Sequence, residues 1–223
     1  MKANSQRVKG KNFRTLHGRP LFRWILDSLL EVAEIDQVII NTDARHILAE
    51  NGLVDSDRVL IRDRRTDLCG DEVSMNLILG DDIANVPAAT YLMTHTTNPM
   101  LTSATIGAAL AQYQTAAASG AADSLFTVNI IQTRFYRADA SPVNHDPDNL
   151  IPTQDLEPWY EENSNLYIFT KDSFTATDAR IGRKPIMYPT PKMESVDIDT
   201  PEDWALADCV AAMVLSKQTK AAQ

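Results

Sequence analysis

Short apolar runs alternate along most of the chain with runs spaced for a helix. Leu21, Trp24, Ile25, Leu29 and Val32 recur at helical spacing, with Arg23, Asp27, Glu31 and Glu34 between them. Residues 37–41 then read as a short buried strand. Asp43 can cap a following helix to Asn51, with Gly52 just beyond its end. Residues 58–61 form a second predicted strand. Ser74 can cap a helix reaching about Asn85, and residues 90–94 are again a strand. Thr102 or Ser103 opens an Ala-rich helix that stops at Gly120, and residues 123–132 make a longer strand. Strands separated by helices of this length predict crossover connections and an open, mostly parallel α/β sheet of Rossmann-like type.

Residues 134–162 interrupt the rhythm. Pro142, Pro147, Pro152 and Pro158 fall there among several Asp and Asn residues, so the segment reads as a loop or hairpin excursion. A lid, a dimer contact and a plain surface loop all suit it. Residues 165–170 resume as a strand, and residues 184–188 and 194–198 are further candidates. Thr200-Pro201-Glu202-Asp203 opens the last helix, with Thr as the cap, Pro in the first turn and Asp three residues on. Leu206, Val210, Met213 and Val214 supply its apolar stripe. The expectation is one domain over residues 1–216, with residues 217–223 as a frayed tail.

Composition narrows the field. The chain has 223 residues, a length that fits one domain. A formal net charge of -9 and the lack of a basic run argue against a nucleic-acid partner, whose phosphates demand clustered cations. The basic residues gather in residues 2–23 and 58–65, which suggests a local anion site. Cys69 and Cys209 form no paired motif, as expected for a reducing, cytoplasmic setting. The first residues lack an apolar segment of signal type, and no apolar run is long enough to span a membrane.

Four places carry candidate chemistry. The opening segment holds Lys2, Asn4, Ser5, Arg7, Lys9, Lys11 and Asn12, cations and donors of the kind a triphosphate needs. It also suits a solvated basic terminus. Asp197 and Asp199 flank Ile198; in a strand, alternate residues share a face, so the two carboxylates would be neighbours. Mg²⁺ between them would relieve their repulsion, and a solvated strand end is the other reading. His95-Thr96-Thr97-Asn98-Pro99 follows a strand directly, where open α/β sheets bind ligands, although a lone His is commonly structural. Arg62-Asp63-Arg64-Arg65, with Asp71 and Ser74 beyond it, could clamp phosphate or base or could pair internally. No Ser-His-Asp arrangement or zinc-type cluster stands out.

These motifs, in this order, resemble the acylneuraminate cytidylyltransferase family, which includes the CMP-sialic acid and CMP-Kdo synthetases. KANSQRVKGKN matches the family's opening loop, ARxxSxGxxxKN. Asn41-Thr42-Asp43 is similar to its StD element, and the run from Arg64 to Ser74 to RPxxLAxDxxS. His95-Thr96-Thr97-Asn98-Pro99-Met100 stands in the place of QPTSPL. The run from Glu162 to Ile168 resembles ENGAIYI, and Glu194 to Asp203 follows ESIDIDTPED almost letter for letter.

The resemblance covers about residues 2–208 and implies a cytidylyltransferase that moves CMP from CTP to an acidic sugar with release of pyrophosphate. It implies nucleotide contacts from Lys2, Asn4, Ser5 and Arg7, Lys11 on phosphate and Asn12 near the base. It places Arg64 and Ser74 near the nucleotide, Asp197 and Asp199 on Mg²⁺, and His95, Thr97 and Asn98 toward the acceptor sugar. It further implies a homodimer through residues 134–162. Three positions depart from the pattern. Lys2 replaces an Arg and loses a bidentate fork; His95 replaces a Gln; and only Met1 precedes the loop, where the family has its first strand. That strand is therefore expected to be missing from the sheet, through truncation or a misassigned start. A phosphorylated acceptor, and a non-catalytic nucleotide-binding relative, remain as alternatives.

Overall fold

The structure, a computed structural model, describes residues 1–3, 5 and 7–221. An opening loop passes through a 3-10 turn, Lys11–Phe13, into a small antiparallel hairpin, β1 (Thr15–Leu16) and β2 (Arg19–Pro20), and then α1 (Leu21–Glu31). β3 (Val38–Thr42), α2 (Arg45–Glu50) and β4 (Val59–Asp63) form one parallel crossover unit. α3 (Met75–Asn85), β5 (Tyr91–Thr94), α4 (Ser103–Ala118) and β6 (Ser124–Ile131) follow. After the excursion come β7 (Trp159–Phe169), α5 (Lys171–Thr177), β8 (Pro185–Pro189) and α6 (Pro201–Ala221).

The α/β class read from the sequence holds, but the strand pairing is mixed where a mostly parallel sheet was expected. β5, β7, β6 and β8 make a second sheet in that order. β8 runs parallel to β6, while β7 is antiparallel to both its neighbours. The excursion explains that direction, because it returns the chain as a broad hairpin. β7 begins at Trp159, within the span assigned to the excursion, and pairs Trp159 with Ile131. No described strand joins β3 to β5, and the strands pair as separate sheets.

Packing bridges what pairing does not. Phe22, Ile25 and Leu29 of α1 and Ile106 and Leu110 of α4 pack with Val38, Val59 and Ile61 of the first sheet. The same cluster includes Leu125, Leu166 and Ile168 of the second. A second cluster gathers Trp204, Ala207, Val210 and Ala211 of α6 onto Val8, Leu16, Trp24, Val196 and Ile198. It presses the opening loop and the 196–198 segment against one helix, so it sets the site's geometry. Arg14 lies over the Trp204 ring at 4.2 Å and ties the hairpin to α6 as well.

Three local expectations change. Residues 194–198 are not a ladder strand: a 3-10 turn covers Lys192–Ser195 and the chain then runs extended without strand pairing. Asp43 does not cap α2; its carboxylate accepts the Ala3 N–H at 2.6 Å, and Thr42 Oγ1 takes the Ala44 N–H instead. α6 continues past Ser216 to Ala221, as its Lys, Gln and Ala residues favour helix.

Candidate active site

Two segments from opposite ends of the chain build the centre. Val8 is buried beneath α6, and Gly10 turns the backbone at a φ of 61°, in the left-handed region. That turn brings the Lys11 N–H onto the Val8 carbonyl at 3.1 Å and directs Lys11 inward. Lys11 is only 7% exposed; its Nζ donates to the Ile198 carbonyl and stands 3.2 Å from Asp199 Oδ1. The Arg7 guanidinium reaches the same oxygen at 3.1 Å from the solvent side.

The facing segment is extended, with Val196 and Ile198 buried and Asp197 and Asp199 half-exposed between them. The Ile198 N–H donates to the Thr97 carbonyl at 2.9 Å, locking the segment to the turn after β5. α6 starts immediately beyond: Thr200 Oγ1 accepts the Asp203 N–H at 3.2 Å, and Asp203 Oδ2 accepts from Thr200 N at 2.7 Å. This reciprocal cap fixes where Asp199 points. Burial pushes the Asp197 carboxyl above its ordinary range, the Thr97 hydroxyl works against that, and the Asp199 charge adds to it. Asp197 Oδ1 is buried with no hydrogen-bond partner among the described residues.

A buried, unpartnered carboxylate oxygen beside a second carboxylate fits a divalent cation that draws its other ligands from phosphate and water. Among the described residues, no group of three acidic, His or Cys side chains forms a protein-only metal cage.

The turn after β5 frames the opposite wall. His95 is held neutral, its pKa lowered to about 4. Burial is the main cause; the charges of Arg180, the N-terminal ammonium and Lys11 act with it, and Asp199 acts against it. Thr96 Oγ1 donates to Asn12 Oδ1 at 2.5 Å, and Asn12 Nδ2 donates to the Lys2 carbonyl at 2.9 Å. Asn12 therefore fastens the opening loop to the end of β5. Asn98 is fully buried, with Nδ2 3.5 Å from the Val196 carbonyl. Its turn folds it beneath the site, so it does not line an acceptor surface as the sequence suggests.

The remaining candidates lie further out. Lys2 pairs with Asp71 at 2.8 Å. Arg64 is buried, its Nε and Nη2 donating to Asn41 Oδ1 and O at 2.9 and 2.8 Å. That binding braces β3, and it withdraws two of the donors a nucleotide would use. Ser5 is half-buried, and Asn4 lies outside the described residues. Ser74 caps α3, accepting from Asn76 N at 3.3 Å, and lines a cavity of about 390 Å³ shared with Glu162 and Arg180. Sequence reasoning missed Arg180. The basic run Arg180, Arg183 and Lys184, leading into a predicted strand, was the signal that could have found it.

The structure thus brings Arg7, Lys11, His95, Thr97, Asp197 and Asp199 together at one end of the sheet. Cations and paired carboxylates at the end of an α/β sheet are chemistry suited to the transfer of a nucleotidyl group. The chain belongs to the cytidylyltransferase family, whose sequence model matches residues 1–221. It is 26% identical over 220 residues to the CMP-N,N'-diacetyllegionaminic acid synthase of Legionella pneumophila, covering 93% of this chain and 91% of that protein. Among solved structures it resembles CMP:2-keto-3-deoxy-manno-octonic acid synthetase complexed with CTP, with a TM-score of 0.65 at 15% identity over 97% of this chain and 96% of that one. It also resembles the 4-diphosphocytidyl-2C-methyl-D-erythritol synthase of Anaerococcus prevotii, with a TM-score of 0.61 at 14% identity over 95% of each. The two structures share the fold with this chain.

Proposed function

We propose that this chain transfers CMP from CTP to an acidic sugar, releasing pyrophosphate and supplying a CMP-sugar for surface polysaccharide or glycoconjugate synthesis. The observation that carries the reading is the pair Asp197 and Asp199, one with an orphaned buried oxygen and the other clasped by Lys11 and Arg7. The sugar class follows the legionaminic acid synthase relative.

The acceptor oxygen attacks the α-phosphorus of CTP, the bond to the β-phosphate oxygen breaks, and pyrophosphate departs in line. The protein's work in such a reaction is positioning and charge compensation. Asp197 and Asp199 would hold Mg²⁺, which when bound neutralises phosphate charge. Lys11, fixed by the Ile198 carbonyl, presents a cation where the phosphates must lie. Asn12 keeps the opening loop closed on the end of β5. His95, neutral at physiological pH, offers a hydrogen-bonding imidazole without an added positive charge.

The reading includes a cytoplasmic homodimer formed through the excursion. Tyr136, Leu150, Trp159 and Tyr160 of that stretch are each exposed, and exposed apolar side chains of this kind are what an interface covers. Sedimentation should show a dimer, and a monomer at all concentrations would remove that part. No helix among the described residues is long and apolar enough to cross a membrane.

The test is pyrophosphate release from CTP and Mg²⁺ across a panel of acidic sugars and sugar phosphates. Release with an acidic sugar is expected. Release with phosphorylated acceptors alone would replace the acceptor class, and no release with any acceptor would favour a non-catalytic binding role.

A further inference from the structure

Arg180 stands outside the cluster around Lys11 and is held with unusual care. It lies in the link between α5 and β8, in a stretch of backbone pinned on both sides. Thr177 Oγ1 lies within hydrogen-bond distance of the carbonyls of Ala179 and Ile181, the residues flanking Arg180, at 3.2 and 3.1 Å, and its single proton is shared between them and the Ser173 carbonyl at 3.3 Å. Just beyond, Gly182 N donates to Ser124 Oγ at 2.8 Å, Arg183 N to Asp123 Oδ2 at 2.8 Å and Lys184 N to Asp123 Oδ1 at 3.0 Å. Gly182 packs so closely that a Cβ there would meet Asp123 Oδ1 at 2.4 Å.

The guanidinium is fixed as well as the backbone. It lies 4.1 Å from the centre of the Tyr167 ring, and Nη2 donates to the Tyr167 hydroxyl at 3.1 Å. That hydroxyl in turn donates to Glu162 Oε1, which lies 3.8 Å from Arg180 Nη2. Nη2 makes both contacts; Nε and Nη1 make none among the described residues, and the side chain is 22% exposed. A pre-oriented guanidinium with open donors, at the wall of a cavity of about 390 Å³, is a built anion seat. The cavity wall lies alongside the end of β5, because Tyr167, which the guanidinium covers, pairs with Met93, two residues before His95.

We propose that Arg180 anchors the carboxylate of the acceptor sugar in this cavity, with Glu162 accepting from the sugar's hydroxyl groups. This rests on the acidic-sugar reading above. Nη2 gives one of its two hydrogens to Tyr167, and its second N–H beside that of Nε or Nη1 matches a planar carboxylate; Glu162, already accepting from Tyr167, suits a polyol better than a second anion. A phosphate monoester would take the same hook, so the test compares acceptors.

The experiment uses the full chain with CTP and Mg²⁺. It compares the acidic sugar that supports pyrophosphate release with the same sugar carrying an amide in place of its carboxylate. In Arg180→Gln the acceptor KM should rise about 10- to 100-fold, as expected for a lost charge-assisted pair, while the KM for CTP stays within about twofold. The handicap of the amide acceptor, large in the parent, should vanish in the variant. Arg180→Lys should fall between the two, and it carries the test if Arg180→Gln does not fold. An unchanged acceptor KM would overturn the assignment. So would acceptor and CTP constants rising together, or an amide handicap of full size in Arg180→Gln. A parent enzyme that uses only sugar phosphates, or no acceptor, overturns the acidic-sugar reading and this proposal with it. An active parent with an unaltered variant overturns this proposal alone.

Discussion

Lys11 Nζ stands 3.2 Å from Asp199 Oδ1, although 188 positions separate them in the sequence. Neither residue would hold this place alone. Lys11 is turned inward by Gly10 and by the burial of Val8, and Asp199 is aimed by the cap of α6. The pair is a hinge point between the two halves of the proposed nucleotide site.

Lys11→Met removes the cation and leaves the Ile198 carbonyl and the Asp199 carboxylate without their buried donor. Arg7 is too exposed to replace it. Turnover measured by pyrophosphate release should fall about 100-fold or more, the scale of losing one fixed electrostatic group at a reacting phosphate. Asp199→Asn should fall comparably. Parent-like turnover in either variant would remove the pair from the reaction.

Asp197→Asn should separate stability from function. The Asp197 carboxyl has a raised pKa in the folded protein, chiefly from burial. A raised carboxyl binds its proton more tightly when folded, so its ionisation at neutral pH weighs against folding. The amide variant should therefore melt at a higher temperature than the parent at pH 7 and lose its turnover. A lower Tm at pH 7 would contradict the burial argument.

His95 gives a pH signature of the opposite sign. Its folded pKa is about 4, against an ordinary value of 6.5. Below pH 6.5 the unfolded chain takes up a proton that the folded chain refuses, so stability declines as pH falls from 6.5 toward 4 and this contribution then levels off. Denaturant titrations of the parent and His95→Gln should diverge in that window, the variant being the flatter. Proton NMR should show one imidazole titrating near pH 4; a midpoint near 6.5 for His95 would refute its burial.

Gly182→Ala tests the clasp under Arg180. The new methyl would meet Asp123 Oδ1 at 2.4 Å, and that carboxylate is held by the Arg183 and Lys184 amides. Overpacking of this kind should cost about 1–3 kcal/mol in denaturant unfolding. Combined with Asp123→Ala, which removes the obstructing group, the effects should be clearly non-additive. Simple addition would mean the loop is not pinned there.

Much of the local structure was legible because its causes are local. Ser74 and Thr102 cap their helices through bonds two and three residues on, and Thr200 with Asp203 spans one turn. From α1 to β6 the alternation of strands and helices emerges as read. Asp43 was misread because a neighbour distant in sequence, Ala3, takes its carboxylate. Asn98 was misread because only the fold shows that its turn faces the interior. β7 was cut short because its first residues, Trp159 to Glu162, directly follow Pro158 and fall in the proline-rich span, and only pairing with β6 shows them as strand.

By itself the sequence determined the α/β class, the helix caps and the residue types of the opening loop and of the Asp197–Asp199 segment. Those follow from backbone preference, side-chain reach over a turn, and periodic burial. The tertiary structure decided which of these groups meet. α6, packing at once on Val8, Trp24, Val196 and Ile198, sets Lys11 against Asp199, and the clasp of Asp123 sets Arg180 beside the cavity. Such contacts join segments that no local preference links, and only the shared core brings them within reach.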